Sequence, residues 1–210
     1  MQPGIFLQTL VNGLFIGGVY GLVSIGLTLI YGVMLILNFA HGEFMMLGMY
    51  IAFWAFTLFG LDPYVSVVIA ALLVFALGAA IQRGLIQRVL TSHPLNQIVL
   101  LLGVSTLIIG LVQFFWTADP RAIHVPYETE VITLGELRLS IPKMVAFFAS
   151  LLTSVALFVF LQYTKTGKAI RAVSQNRDAA LLMGIDVKWI YMLTFGLGTA
   201  VTALAGVFLT

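Results

Sequence analysis

Apolar residues run along this chain in long blocks, interrupted at only a few places by polar clusters. Crossing a hydrocarbon layer about 30 Å thick takes about 20 predominantly apolar residues, each rising about 1.5 Å in a helix. Six blocks reach or approach that length: residues 5–37, 44–61, 64–81, 98–116, 141–163 and 189–210. The first is long enough for a tilted helix or for one with a break. The second is short and stops at Asp62-Pro63. The pattern predicts an all-α fold: a polytopic transmembrane bundle of about six spans, with residues 1–210 as a single domain.

Composition sharpens this. Hydrophobic residues make up 61% of the chain and charged residues 9%, against roughly 25% charged in a soluble domain. So few charges cannot coat a globule in water, so the outer face must meet lipid. Residues 1–42 hold no Lys, Arg, Asp or Glu. With no basic residue ahead of an apolar stretch this long, the N-terminus reads as a span rather than a cleaved signal peptide. The last apolar block runs to Thr210 with no polar tail, which suggests a piece of a longer protein. No basic run is interleaved with aromatics, so nucleic acid is not an expected partner. The absence of cysteine removes disulfides, thiolate metal sites and thiol catalysis.

The charges orient the bundle. Segment 82–97 carries Arg83 and Arg88 and no acid, and segment 164–188 carries Lys165, Lys168, Arg171, Arg177 and Lys188. Segment 117–140 sets Arg121 and Arg138 against Asp119, Glu128, Glu130 and Glu136. Basic loops stay in the cytoplasm, so the first two lie inside, the third outside, and Met1 outside. The outer segment has Pro120 and Pro126 and an alternating stretch at 130–134, which suits a small hairpin or a lid.

Three features stand out from the apolar background. Gly13, Gly17 and Gly21 share one stripe of the first helix, suited to close helix packing in lipid; a stripe bordering a substrate path is the other reading. Asn38, His41 and Glu43 fall within six positions. They suit a cytoplasmic turn that caps the next helix, with Glu43 at its positive end. The other reading is a discontinuous helix whose turn lies inside the bundle beside a transport route. His41 and Glu43 are too few for a zinc site, with His93 in another loop, so no metal is expected. The third feature is 167–184, too polar to span and too apolar for a free linker. Ile170, Val173, Leu181 and Leu182 alternate there with Lys168, Arg171, Arg177 and Asp178. Two short helices broken near 174–176 fit, with Asn176 capping the second and Gly184 ending it. Lying at lipid headgroups and docking a cytoplasmic partner are both open to such a pair.

Asp178-Ala179-Ala180 followed by Gly184 resembles the Glu-Ala-Ala-x-x-x-Gly loop by which ABC importer permeases contact their ATPases. Residues 167–206 look like the corresponding part of branched-chain amino acid permeases. The stretch 26–48, containing Asn38-Phe39-Ala40-His41-Gly42-Glu43-Phe44, is a closer match and resembles the LivH-type subunit. Pro94-Leu95-Asn96-Gln97 and Asp119-Pro120-Arg121 also fit, and Asp178 departs from the usual Glu. The resemblance implies the ABC importer permease architecture, continuing for further helices beyond Thr210, so that this chain is truncated at its C-terminus. It implies a multi-pass protein of the cell inner membrane that forms half of a path for branched-chain or related small amino acids. The implied partners are a sister permease, two cytoplasmic ATPase subunits and a periplasmic binding protein. ATP and Mg would sit on the ATPases, with no cofactor on this chain.

The implied ATPase-coupling loop is 165–188, with Arg171, Asn176, Asp178, Ala179, Ala180 and Gly184. Candidate path residues are Asn12, Asn38, His41, Glu43, Ser105 and Thr106. The chain has no Gly-x-x-x-x-Gly-Lys-Ser/Thr loop, so a partner must supply the energy. No Gly-x-Ser-x-Gly, His-Glu-x-x-His or paired intramembrane aspartates support an enzyme. The competing reading is a stand-alone carrier or channel for a small polar solute, with His41 and Glu43 as a proton relay.

Overall fold

A computed structural model describes residues 3–117, 119, 121–125, 127–134 and 137–210. Pro120, Pro126 and Glu136, invoked above for the outer segment, lie outside the described residues. Helices dominate: α1 (Pro3–Met34), α2 (His41–Phe59), α3 (Pro63–Ile81), a π-helical turn (Gln82–Ile86) leading into α4 (Gln87–Val89), and α5 (Pro94–Trp116). A hairpin of β1 (Val131–Leu134) and β2 (Leu137–Ser140) follows, then α6 (Ile141–Tyr163), α7 (Lys165–Gln175), α8 (Arg177–Leu182) and α9 (Val187–Leu209). Six of these helical stretches are long and apolar enough to cross a membrane. The chain is a multi-pass helical bundle. Its outer segment holds the antiparallel hairpin, pairing Val131 with Ser140 and Leu134 with Leu137.

The span starts follow from local chemistry. Asp62 caps α3 by accepting from the Tyr64 amide at 2.8 Å, with Pro63 in the first turn, where its missing N–H costs nothing. His93 and Pro94 open α5 in the same way. Asp186 accepts from the Lys188 and Trp189 amides and opens α9. Cytoplasmic segment 82–97 proves shorter than expected. The third span runs on through the π turn to Val89, leaving residues 90–93 as the link. Arg83 and Arg88 therefore sit on helix, where long side chains reach water from an apolar stem.

Both ends of the bundle can be told apart. Gln8 near the start of α1 bonds to the Arg138 backbone in both directions, at 2.6 and 2.8 Å. Tyr127 donates to Asp62 at 2.6 Å and Tyr64 donates to the Pro142 carbonyl at 3.2 Å. The start of α1, the 60–62 turn and the hairpin segment thus share one end. The basic stretches lie at the other, as the charge pattern requires.

The centre of the bundle is α9. It packs against α1, α2 and α3 and is mostly buried, whereas the other spans expose most of their surface. Small residues allow this: a Cβ on Gly48 would strike the Ala203 carbonyl, on Gly206 the Met45 carbonyl, and on Gly198 the Gly26 carbonyl. The expected packing stripe of Gly13, Gly17 and Gly21 meets no other helix of this chain. A Cβ on Gly13, Gly17 or Gly21 would meet nothing within 4 Å, and all three are exposed. Close helix approach within the chain uses other glycines, because α1 turns a different face, with Gly18 and Gly26, to α6 and α9.

Candidate functional site

Helix α1 ends at Met34, and Leu35 takes a left-handed φ of 55°, a conformation costly for a leucine that breaks the helix. The chain then leaves the helix and turns at 39–40, with Ile36, Asn38 and Ala40 buried and Leu35, Leu37 and Phe39 exposed. It does not stay at the cytoplasmic end. His41 Nε2 stands 3.0 Å from the Val23 carbonyl and 2.9 Å from Thr202 Oγ1. Val23 precedes the end of α1 by eleven residues, a helical rise of about 16 Å. The 38–43 turn is therefore inside the bundle, and the solvent-side turn is not what forms. The chain breaks its helix where protein, rather than lipid, surrounds one side of the non-helical backbone.

Hydrogen bonding fixes the chemistry of this turn. The Val23 carbonyl can only accept, so His41 Nε2 carries the proton. Thr202 then gives its hydroxyl proton to the Gly198 carbonyl at 2.8 Å. His41 Nδ1 is left as a lone pair with no donor, in a side chain only 7% exposed. Asn38, 4% exposed, accepts from the Ala40 amide through Oδ1, while its Nδ2 has no partner. Glu43 takes the Ser105 hydroxyl on Oε1 at 2.5 Å and leaves Oε2 unpartnered. Glu43 sits in the first turn of α2, whose N-cap Ala40 offers no side-chain oxygen, so the carboxylate also faces the helix's positive end.

The structure thus gathers Asn38, His41, Glu43 and Ser105 at one depth and leaves out two other candidates. Thr106 is exposed and returns its hydroxyl to the Leu102 carbonyl at 3.0 Å. Asn12 lies one turn along α1 from Gln8, near the hairpin end and far from the 38–43 turn. Thr202 and the Val23 carbonyl were missed by sequence reasoning. The available signal was the run 196–206, where Gly196, Gly198, Thr199, Ala200, Thr202, Ala203, Ala205 and Gly206 crowd one span. So many small residues mark a helix approached on several sides.

The helix pair α7–α8 lies apart from this turn. Asn176 ends α7 and caps α8 by accepting from the Ala179 amide at 2.9 Å. Gly184 has φ +79°, and the Ile185 amide bonds back to the Ala180 carbonyl at 3.0 Å, closing α8 in a glycine-dependent stop. Ala180 is buried with Ile170 and Val173, while Asp178, Ala179 and Gly184 are exposed. Arg171 donates to the Gln162 side chain at 2.7 Å, bracing α7 against the end of α6. Leu182 and Met183 stand 89% and 82% exposed at the tip. Among the described residues no three His, Cys, Asp or Glu gather as a metal site.

Spans that expose apolar faces, a polar turn at depth and a projecting amphipathic pair define a polytopic membrane protein with a transport-type interior. The chain belongs to the family of branched-chain amino acid transport system permease components, whose model matches residues 9–210. It is 31% identical over 216 residues to the high-affinity branched-chain amino acid transport system permease protein BraD of Pseudomonas aeruginosa, covering 97% of this chain and 70% of that one. It is 32% identical over 218 residues to LivH of Escherichia coli, with the same shares of 97% and 70%. A probable LivH of Methanocaldococcus jannaschii is 29% identical over 201 residues, 88% of this chain and 60% of that one. No solved structure gives a significant match.

Proposed function

We propose that this chain is the permease subunit of an ATP-driven ABC importer for branched-chain or related small amino acids, set in the cell inner membrane. It forms half of the path with a sister permease. A periplasmic binding protein delivers substrate, and two cytoplasmic ATPases bind and hydrolyse ATP with Mg. The observation that carries this reading is the α7–α8 pair. Its inner residues Ile170, Val173 and Ala180 join the bundle core, while Leu182 and Met183 project bare. An exposed apolar tip on a basic helix pair suits a cleft in a partner. Clamped there, it would move with the ATPases as they close on nucleotide, biasing a two-state bundle.

The carrier reading fares less well. A proton relay would join His41 to Glu43, and among the described residues no hydrogen bond links the two: Nε2 of His41 is held by Val23 and Thr202, and Oε1 of Glu43 by Ser105. Co-expression with a candidate ATPase and sister permease tests the proposal. The complex should co-purify and take up leucine with ATP, and Gly184→Trp should abolish uptake. Normal uptake by an assembled Gly184→Trp complex, or uptake after deletion of 168–184, would overturn it.

A further inference from the structure

Between α2, α3 and the end of α5 lies an open groove of about 520 Å³, and none of the turn residues 38–43 lines it. Leu47, Trp54 and Leu58 of α2, Ile69 and Leu73 of α3, and Trp116 of α5 form its walls, with no charged side chain among the lining residues. Leu58, Ile69 and Leu73 are exposed, so the groove opens on the outer surface of the chain. Its length is that of one leaflet. Leu47 and Leu58 stand eleven residues apart on α2, a rise of about 16 Å, and half of a hydrocarbon layer is about 15 Å. Helix α2 ends at Phe59, α3 begins at Pro63 and α5 ends at Trp116, so the mouth of the groove is at the hairpin end.

A cation stands beside that mouth. Arg121 donates through Nη2 to the Trp116 carbonyl at 2.8 Å. Its guanidinium lies 5.3 Å from the centre of the Trp54 ring and 5.4 Å from that of Phe53. Trp116 in turn stacks on Tyr50 at 5.3 Å. The bond and the rings hold an exposed charge against the two tryptophans that line the groove. Among the described residues no carboxylate pairs with Arg121; Asp119 accepts from the Thr117 hydroxyl instead, at 2.7 Å. A guanidinium has five N–H donors in a fork that matches phosphate, so donors remain after the bond to Trp116.

We infer that this groove seats an acyl chain of a phospholipid with a net-negative headgroup, whose phosphate meets Arg121. The chain covers apolar walls one leaflet long, and the headgroup then falls at the end of the groove where the arginine stands. A zwitterionic lipid fills the groove equally well, but its own ammonium competes with Arg121 for the phosphate. The anionic lipid answers both the groove and the charge.

The test is tryptophan quenching by lipids brominated on their acyl chains. The full chain carries Trp189→Phe, which leaves Trp54 and Trp116 as its tryptophans, and is reconstituted in unlabelled phosphatidylcholine vesicles. Brominated phosphatidylglycerol should reach half-quenching at a mole fraction about fivefold lower than brominated phosphatidylcholine, the preference one surface arginine gives an anionic lipid. Arg121→Gln should bring the two lipids together, whereas Arg138→Gln, exposed on the hairpin, should leave them apart. Filling the groove with Ile69→Phe and Leu73→Phe should weaken quenching by both lipids. The same changes at Val68 and Leu72, on α3 outside the groove, should not. All four positions are exposed, so the fold tolerates either pair. Equal quenching by the two lipids overturns the inference, as does a preference that survives Arg121→Gln or the filled groove. Tryptophans silent to both lipids would mean that protein covers the groove, and would overturn it as well.

Discussion

Asn38 Nδ2, His41 Nδ1 and Glu43 Oε2 are buried atoms with nothing to bond. Each such atom left unpaired costs about 1–3 kcal/mol, so water, another subunit or a ligand is expected to supply the missing partners. Glu43→Gln keeps an acceptor for Ser105 and removes the charge. It should leave the melting temperature of the purified chain within a few degrees and cut leucine uptake at least about tenfold. Unchanged uptake would remove Glu43 from the path. Outside the membrane, Tyr127 carries a pH signature. Burial first, then the bond to Asp62, raises its phenol above the usual value. A raised folded value stabilises below the unfolded pKa of about 10 and is lost as pH climbs further. Thermal stability of the native chain should therefore fall more steeply above about pH 10 than that of Tyr127→Phe, read by melting curves across pH. The sequence made Glu43 and Ser105 visible because polar residues are rare in these spans. It hid Thr202, because a membrane threonine ordinarily returns its hydroxyl to the preceding turn, as Thr106 does. Only the fold brings Thr202 to His41.

At the scale of elements, span number and the parting of basic from acidic segments to opposite ends were legible because length, apolarity and basic loops are one-dimensional signals. Packing was not. Glycine spacing alone pointed to Gly13, Gly17 and Gly21, yet α1 presents Gly18 and Gly26 to its neighbours. A four-residue repeat names a helix face without naming what lies against it. The same gap hid the π turn, where Gln82 is fully buried and bonds to Gln87 at 3.0 Å. Two substitutions separate the two glycine faces. Gly206→Leu drives a side chain into the Met45 backbone and should leave little folded chain by size-exclusion and melting assays. Gly17→Leu meets open space and should fold with near-native melting. Equal behaviour of the two would refute the assignment of α9 as the packed centre.

Taken whole, the molecule joins its two polar exceptions through one apolar cluster. Ile170 and Val173 of α7 and Ala180 of α8 share it with Ile86 of the π turn, Ile190 and Tyr191 of α9, and Ala40 and Phe44 at the buried turn. Phe44 meets Phe195 edge to face at 6.0 Å, and both are fully buried. Dense packing moves as a unit rather than deforming continuously. A displacement of the cytoplasmic pair thus has a physical route to the 38–43 turn, though contiguity alone does not measure coupling. Phe44 is the place to measure it, because its buried ring packs on Phe195 of α9 and carries no polar atom of its own. In the reconstituted complex, Phe44→Leu should keep assembly and ATP hydrolysis near native while lowering leucine carried per ATP several-fold. Phe44→Ala should do so more strongly, at some cost in melting temperature from the space left behind. Proportional losses of hydrolysis and uptake would mean that Phe44 only holds the fold together. An unchanged ratio in both variants would mean that any proposed stroke reaches the turn by another route, with α9 itself, running from the α7–α8 pair to Thr202, as the remaining connection.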